Sequence, residues 1–448
     1  MQGEDYRVLD ETMTFEIVGK WGFTSQTLGY SGTLHYQPDQ MTLLIYSDDL
    51  TLNQHQETYL YGEGTVLLEQ PDGQTTYLPV KISLSGVYRQ QQQQTLTAQQ
   101  TQLVVKYGVL GMALGAHITA ASRVTAMQLS LSNLTTWLQP AVGSVSRHQH
   151  CSALTPADLF HFTVAGRRYQ LLTAMQPVQA ATTALGAQFS GFAVQYKLGI
   201  QLPQTGNRLS ELSLLARQVE DWFSIVSGQA EAVTQVIWQL KDTATPVVIF
   251  EPRAMRHFEG HDYQFAKLAV PRDDAWLRAM AQSLQNWLTH YDKLIPLATA
   301  LNPARPVLDF NREVQTVCGC LNVVFDEFYA SGKAHHKEVY YRRKVRIFLQ
   351  HCQQPYVQQA LRALPVVQTT NQLLDLIRDA RNISAHSSLA ITGLKGLTTL
   401  NEKYRFQLIL KGLLRLWLLA QLGISQQLLA AEVAMTRPFD VELTTTWL

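Results

Sequence analysis

The segment DARNISAHSS (379–388) holds Arg381, Asn382 and His386, three side chains whose types suit phosphoester chemistry. Histidine titrates near neutral pH, so it can take a proton and give it back. Arginine presents a planar fork that pairs with two phosphate oxygens and neutralises charge as it builds on phosphorus. Together they would let an RNA 2′-hydroxyl attack its own phosphate, leaving a 2′,3′-cyclic phosphate and a 5′-hydroxyl. No acidic cluster with metal-ligand spacing accompanies them, so the expected route uses neither a metal nor another cofactor. Asn382 and His386 are i,i+4 neighbours, and the amide can orient the imidazole. Arg381 and His386 lie five apart, about 140° around an ideal helix, and do not sit side by side. A second copy across a two-fold axis would surround one phosphate with both residue types. The expectation is a composite site in a homodimer.

The spacing of arginine and histidine is not specific by itself. Ordinary composition yields roughly one such match in a chain this long, and Arg256 with His261 and Arg346 with His351 also fit. Context separates them. Arg256 and His261 fall in a glycine-broken stretch, and Arg346 is followed by an isoleucine that offers no polar support. Arg381 is followed by asparagine near the end of an amphipathic helix. Leu373, Leu376, Ile377, Ala380 and Ile383 form one stripe of that helix; Asp375, Arg378, Asp379, Asn382 and His386 form the other. So dense a polar stripe suits a cleft or an interface, with Arg378 expected as an RNA contact and Asp379 as a supporting residue.

The run KAHHKEVYYRRKVR (333–346) is the one dense basic patch of the sequence. Arg342, Arg343 and Lys344 would grip phosphates while Tyr340 and Tyr341 stack bases. The competing reading is an exposed helix face with its tyrosines packed inward. HQHC (148–151) near His161, and Cys318-x-Cys320 with Cys352, lack standard zinc spacing. The glycines of YGVLGMALG (107–115) are misplaced for a dinucleotide fold.

Elements must hold these groups, and the chain has room for them. At 448 residues, with 46% apolar and 16% charged side chains, it predicts two or three folded domains. A formal net charge of +1 means that any nucleic acid must meet a local patch. Segments 15–19, 31–36, 41–47, 58–64, 76–86, 126–134 and 160–166 are short and β-rich, separated by turn signals such as PDG. They predict an antiparallel sandwich or barrel-like domain. The glutamine-rich stretch 89–102 reads as a surface excursion or loop. A helix is expected at 208–228, ending at a glycine, and a strand at 245–252. Helices follow at 273–291, 312–331, 336–353, 356–363, 370–385 and 401–422, with Pro271, Pro296, Pro303, Pro306, Pro355 and Pro365 falling between them. The fold class is therefore α+β multidomain: a β-rich region over residues 1–268 and an all-α bundle over residues 269–448. Phe406–Leu422 is apolar but carries Lys411 and Arg415, so it predicts a buried bundle helix rather than a membrane span. With four cysteines and no basic-then-apolar opening, the expected setting is the cytoplasm.

Residues 312–425 resemble the HEPN superfamily, with RNISAH matching its Arg-x4-His motif in the variant that has asparagine after arginine. The N-terminal region resembles that of ApeA-like HEPN proteins in IVGKWGF (17–23), YSGTLHYQPDQMTLLIY (30–46), VLGMALGAHIT (109–119), MQLSLSNLTTWL (127–138) and LARQVEDWFSIVSGQ (215–229). The resemblance implies a HEPN helical bundle that dimerises around Arg381, Asn382 and His386 and cleaves RNA without metal. It further implies an abortive-infection effector acting on host or phage RNA, tRNA included, with the β-rich region sensing a phage-derived trigger. The alternative is a catalytically inactive HEPN scaffold that senses a nucleotide, RNA or protein ligand.

Overall fold

The fold is taken from a computed structural model that describes residues 6–48, 59–69, 75–96, 101–119, 121–138, 160–179, 190–203, 209–251, 273–303, 310–329, 340–364, 366–385, 397 and 399–430. The chain divides into two compact units. One comprises Met1–Thr135, Gly166–Ala216 and Ala232–Asp262; the other comprises Thr136–Ala165, Arg217–Glu231 and Tyr263–Leu448.

The first unit is built on antiparallel β structure. Its strands are β1 (Phe15–Gly22), β2 (Tyr30–Gln37), β3 (Gln40–Ser47), β4 (Tyr59–Glu69), β5 (Thr75–Ser85), β6 (Tyr88–Leu96), β7 (Thr101–Val109), β8 (Gly111–Leu114) and β9 (Val124–Leu131). After β10 (His161–Val164), which is counted with the second unit, come β11 (Arg167–Gln179), β12 (Ser190–Gln201), β13 (Val233–Leu240) and β14 (Val247–Phe250). Within the first unit the order across the sheet is β11-β12-β9-β13-β14-β8-β5-β4-β1-β2-β3-β7-β6. The pattern that forms the early strands is plain alternation. Leu34 and Tyr36 on β2, and Met41, Leu43 and Ile45 on β3, are buried at every second position. The two strands pair through a two-residue connection between Gln37 and Gln40.

The strands are hydrogen-bonded into one continuous sheet. It curls on itself. On a flat sheet β14 and β1, four strands apart in this order, would be separated by about 19 Å, yet the rings of Phe15 and Phe250 are 5.4 Å apart. Tyr36 closes the same cluster, 4.8 Å from Phe15 and 5.0 Å from Phe250. The fully buried Trp21 lies across its neighbouring strands where Gly32 and Gly62 stand; a Cβ at Gly62 would come within 2.6 Å of the indole. Glycine is required there by close approach.

The glutamine-rich stretch is also corrected. Tyr88–Leu96 is a strand, β6, paired antiparallel with β7 at the end of the sheet order and bent by an irregularity between Arg89 and Gln91. Its side chains from Tyr88 to Gln94 are exposed, so no alternation marks it, and backbone hydrogen bonding to β7 alone makes it a strand. Strand β8 is hidden for the opposite reason: all four of its residues are buried, and a strand buried on both faces shows no period.

The helices are α1 (Leu134–Leu138), α2 (Leu209–Ser227), α3 (Asp274–Leu301), α4 (Phe310–Phe328), α5 (Tyr341–His351), α6 (Gln354–Ala363), α7 (Thr370–Ala385) and α8 (Leu400–Gln421). All but the first part of α2 and the start of α1 belong to the second unit. Asp273 caps α3 by accepting from the Trp276 amide at 2.9 Å, and Thr399 with Glu402 forms a capping box on α8. Helix α3 runs through Pro296 instead of stopping before it. An interior proline costs about 3 kcal/mol; here Leu294, Leu297, Ala298 and Leu301 are buried around it and hold the helix together. Pro355 lies in the first turn of α6, where a missing amide is harmless.

The charges within Phe406–Leu422 have partners inside this unit. Lys411 pairs with Glu313 at 2.7 Å, and Arg415 donates to the carbonyls of Ile225 and Val226 at 2.6 and 2.8 Å, the last turn of α2. Arg415 thus satisfies carbonyls that a helix end leaves open. No helix among the described residues is long and apolar enough to cross a membrane.

Candidate functional site

Helix α7 carries Arg381 and Asn382, and its two faces separate as the pattern predicts. Leu373, Leu376, Ile377 and Ala380 are buried, while Asp375, Arg378 and Asp379 are half-buried and Asn382 is exposed. Arg381 and Asn382 stand at the end of its polar face. The side chain of Ile383 and the whole of His386 lie outside the described residues, as do Arg256, His261, His148, His150 and Cys151.

Helix α5 packs beside α7 by burying Val345, Phe348 and Leu349. Between them runs a cleft of about 740 Å³ lined by Tyr340, Tyr341, Arg342, Arg343, Arg346, Ile347, Gln350, Arg378, Arg381 and Asn382. Five guanidinium groups therefore face one space, and among the described residues the lining holds no carboxylate and no thiol.

Those arginines are not equivalent. Arg342 Nε and Arg378 Nη1 both donate to Asp375 Oδ1, at 3.0 and 3.1 Å, and Arg378 also holds Asp379 Oδ1 at 2.7 Å. The Asp379 carboxylate pushes the Arg378 pKa further above its ordinary value. Ion pairs as exposed as these add little stability; their effect is to aim the guanidinium groups. Arg381 Nη1 donates to Asn382 Oδ1 at 3.2 Å, and its guanidinium carbon lies 5.0 Å from the centre of the Tyr341 ring, a cation–π contact. The Tyr341 hydroxyl in turn donates to the Cys318 carbonyl of α4 at 3.2 Å. Burial pushes this phenol well above its ordinary pKa, so it remains a donor. Arg381 is thus fixed from two sides by groups on α5 and α7.

Of the residues marked by sequence, Arg342, Arg343, Arg378, Arg381 and Asn382 come together in the cleft, with Asp379 behind Arg378. Lys344 does not join them. It is 8% exposed, pairs with Asp326 at 3.0 Å and sits 5.1 Å from the Phe325 ring. Arg346, Ile347 and Gln350 were not marked as contacts, although positions 340, 343, 346 and 350 follow helical spacing and could have been read as one row. Arg346 shares the cleft with Arg381, but its partner by spacing, His351, turns back to donate to its own helix: Nδ1 lies 2.8 Å from the Ile347 carbonyl, and the ring tilts against Tyr329 at 4.2 Å.

The cysteines serve packing. Cys318, Cys320 and Cys352 are buried free thiols. Burial pushes Cys318 up to about 11 and Cys320 up to about 12, and it raises Cys352 as well, so all three stay protonated at neutral pH. The Cys320 thiol donates to the Pro296 carbonyl at 3.2 Å.

No family model matches the chain, and no curated protein or solved structure matches it either.

Proposed function

We propose that the second unit is a HEPN-type endoribonuclease that cleaves RNA without a metal, with Arg381, Asn382 and His386 as its reacting set. The observation that supports this most directly is the cleft itself: the Arg381–Asn382 pair opens onto a space lined by four further arginines. A phosphodiester brings negative charge there, and the crowded phosphorane concentrates it. In the proposed step the RNA 2′-oxygen bonds to phosphorus and its proton passes to a base. The bond from phosphorus to the 5′-oxygen breaks, and that oxygen takes up a proton. His386 supplies the acid–base function through its place in the motif. Arg381 stabilises the phosphorane, held by the Tyr341 face and the Asn382 amide. A homodimer formed through the helical unit would combine the sets of two chains around one phosphate. In the wider reading the protein is an abortive-infection effector acting on host or phage RNA, tRNA included, with the β-rich unit sensing a phage-derived trigger.

The test uses the purified full-length chain, alone and with extract of phage-infected cells, on total RNA whose new ends are mapped. New 5′-hydroxyl ends with the wild type, absent with Arg381→Ala and with His386→Ala, are the expected result. Equal cutting by both variants would make the motif structural and place the reacting groups elsewhere; no cutting by the wild type would replace the enzyme with the scaffold reading.

A further inference from the structure

We propose that Tyr340, just ahead of α5, and the outer row of α5 formed by Arg343, Arg346 and Gln350 make a track that binds an unpaired RNA strand beside the phosphate that reacts at Arg381. This rests on the ribonuclease reading above and adds the form of the substrate.

The row follows from helix geometry. Steps of three and four residues keep Arg343, Arg346 and Gln350 on one face over about 10 Å, and Tyr340, the residue that precedes the helix, stands at its start. All four line the cleft and all four are exposed, Tyr340 at 86%. The opposite face of α5 does the packing, through Val345, Phe348 and Leu349. The row is therefore not spent on holding the helix in place.

Its charges are not spent either. Arg342 and Arg378 share the carboxylate of Asp375, whereas Arg343 and Arg346 have no carboxylate partner among the described residues. An aromatic face followed by two such cations matches what a single strand offers: a base to stack, then phosphates to grip. A duplex offers phosphates but keeps its base faces in its own stack, so Tyr340 would have nothing to hold. The phosphate contacts give affinity and the stacking contact makes it selective for unpaired strands. Gln350, at the far end, adds an amide that can bond a base edge.

The probe is a fluorescein-labelled 2′-O-methyl RNA of about ten nucleotides, which lacks the free 2′-hydroxyl and cannot be cut by this route. Its anisotropy is followed on the full-length protein, as a single strand and as a duplex. The single strand should bind more tightly. Arg343→Ala with Arg346→Ala should lower the slope of log affinity against log salt by about 1.4, since each phosphate contact on a single strand contributes about 0.7. The double lysine replacement, which keeps both charges, should restore the slope. Tyr340→Ala should weaken the single strand about tenfold and leave the duplex unchanged, while Tyr340→Phe should match the wild type. A preference for duplex, an unchanged salt slope or an indifferent Tyr340→Ala would overturn the track. So would equal competition by polyglutamate, which would point to an acidic protein partner instead. The cleavage reading fails separately. Binding that obeys these expectations without any cutting of the all-ribose strand would retain the track and remove the nuclease. Cutting that depends on Arg381, with binding indifferent to the track variants, would do the reverse.

Discussion

Helices α5 and α7 supply arginines to one cleft but handle them differently. On α7, Asp375 and Asp379 alternate with Arg378 and Arg381, and each guanidinium is aimed by a neighbour. Between Tyr341 and His351, α5 contains no acidic residue at all. Its Arg342 borrows Asp375 from α7, while Arg343 and Arg346 point their charge at the cleft. The contrast suits two tasks. A group that stabilises a transition state must be oriented beforehand, because reorientation during the reaction costs what the contact would contribute. A group that grips a variable strand does better with mobility and an unspent charge. The arginine-then-histidine match on α5 repeats the lesson. Arg346 and Arg381 share a cleft, yet His351 is bonded to its own helix, so spacing alone does not assemble a pair.

The contrast can be broken most sharply at Arg381. Arg381→Ala should lower cleavage by about 10²- to 10³-fold while changing the affinity of the uncleavable strand only slightly. Equal losses in both measurements would erase the distinction between the helices. Next in size is Lys344, which belongs to the basic run but not to the cleft. Lys344→Ala should cost about 2 kcal/mol in urea unfolding, below the range for a fully buried pair because Asp326 is 40% exposed. Arg343→Ala, one residue away, should stay within about 0.5 kcal/mol of the wild type. Equal stabilities would mean that Lys344 is not a packing residue. Tyr341→Leu should then slow turnover about tenfold at saturating RNA with KM unchanged, by removing the face under Arg381. Tyr341→Phe keeps that face and should restore the rate; a Phe variant as slow as Leu would assign the effect to the Cys318 hydrogen bond instead. The smallest effect is expected at Asp375. Asp375→Asn releases Arg342 and Arg378 together, and should tighten single-strand binding by roughly two- to fivefold, the worth of exposed ion pairs, with a steeper salt slope. Weaker binding would show that the carboxylate positions these arginines for RNA.

Much of this architecture is local and therefore readable in the chain. Alternation along residues 30–47 declares β2 and β3, and the stripe of Leu373, Leu376, Ile377 and Ala380 declares the buried face of α7. Where burial is uniform, the pattern vanishes. Strand β6 is exposed on both faces and β8 is buried on both, and neither carries a period to read. Pro296 shows the limit of local rules from another side, because burial of its helical neighbours outweighs the cost of a missing amide.

By itself the sequence determined the order of strands before helices, the amphipathic faces and the side chains able to handle a phosphate, since each depends on residues within a few positions. Tertiary structure decided how those side chains divide. It joined Arg342 to Asp375 across 33 residues, turned Lys344 inward to Asp326, and brought Arg343 and Arg346 to the same space as Arg381. Charge is available to a ligand only where no nearer partner claims it, and the nearer partner is chosen by how helices pack.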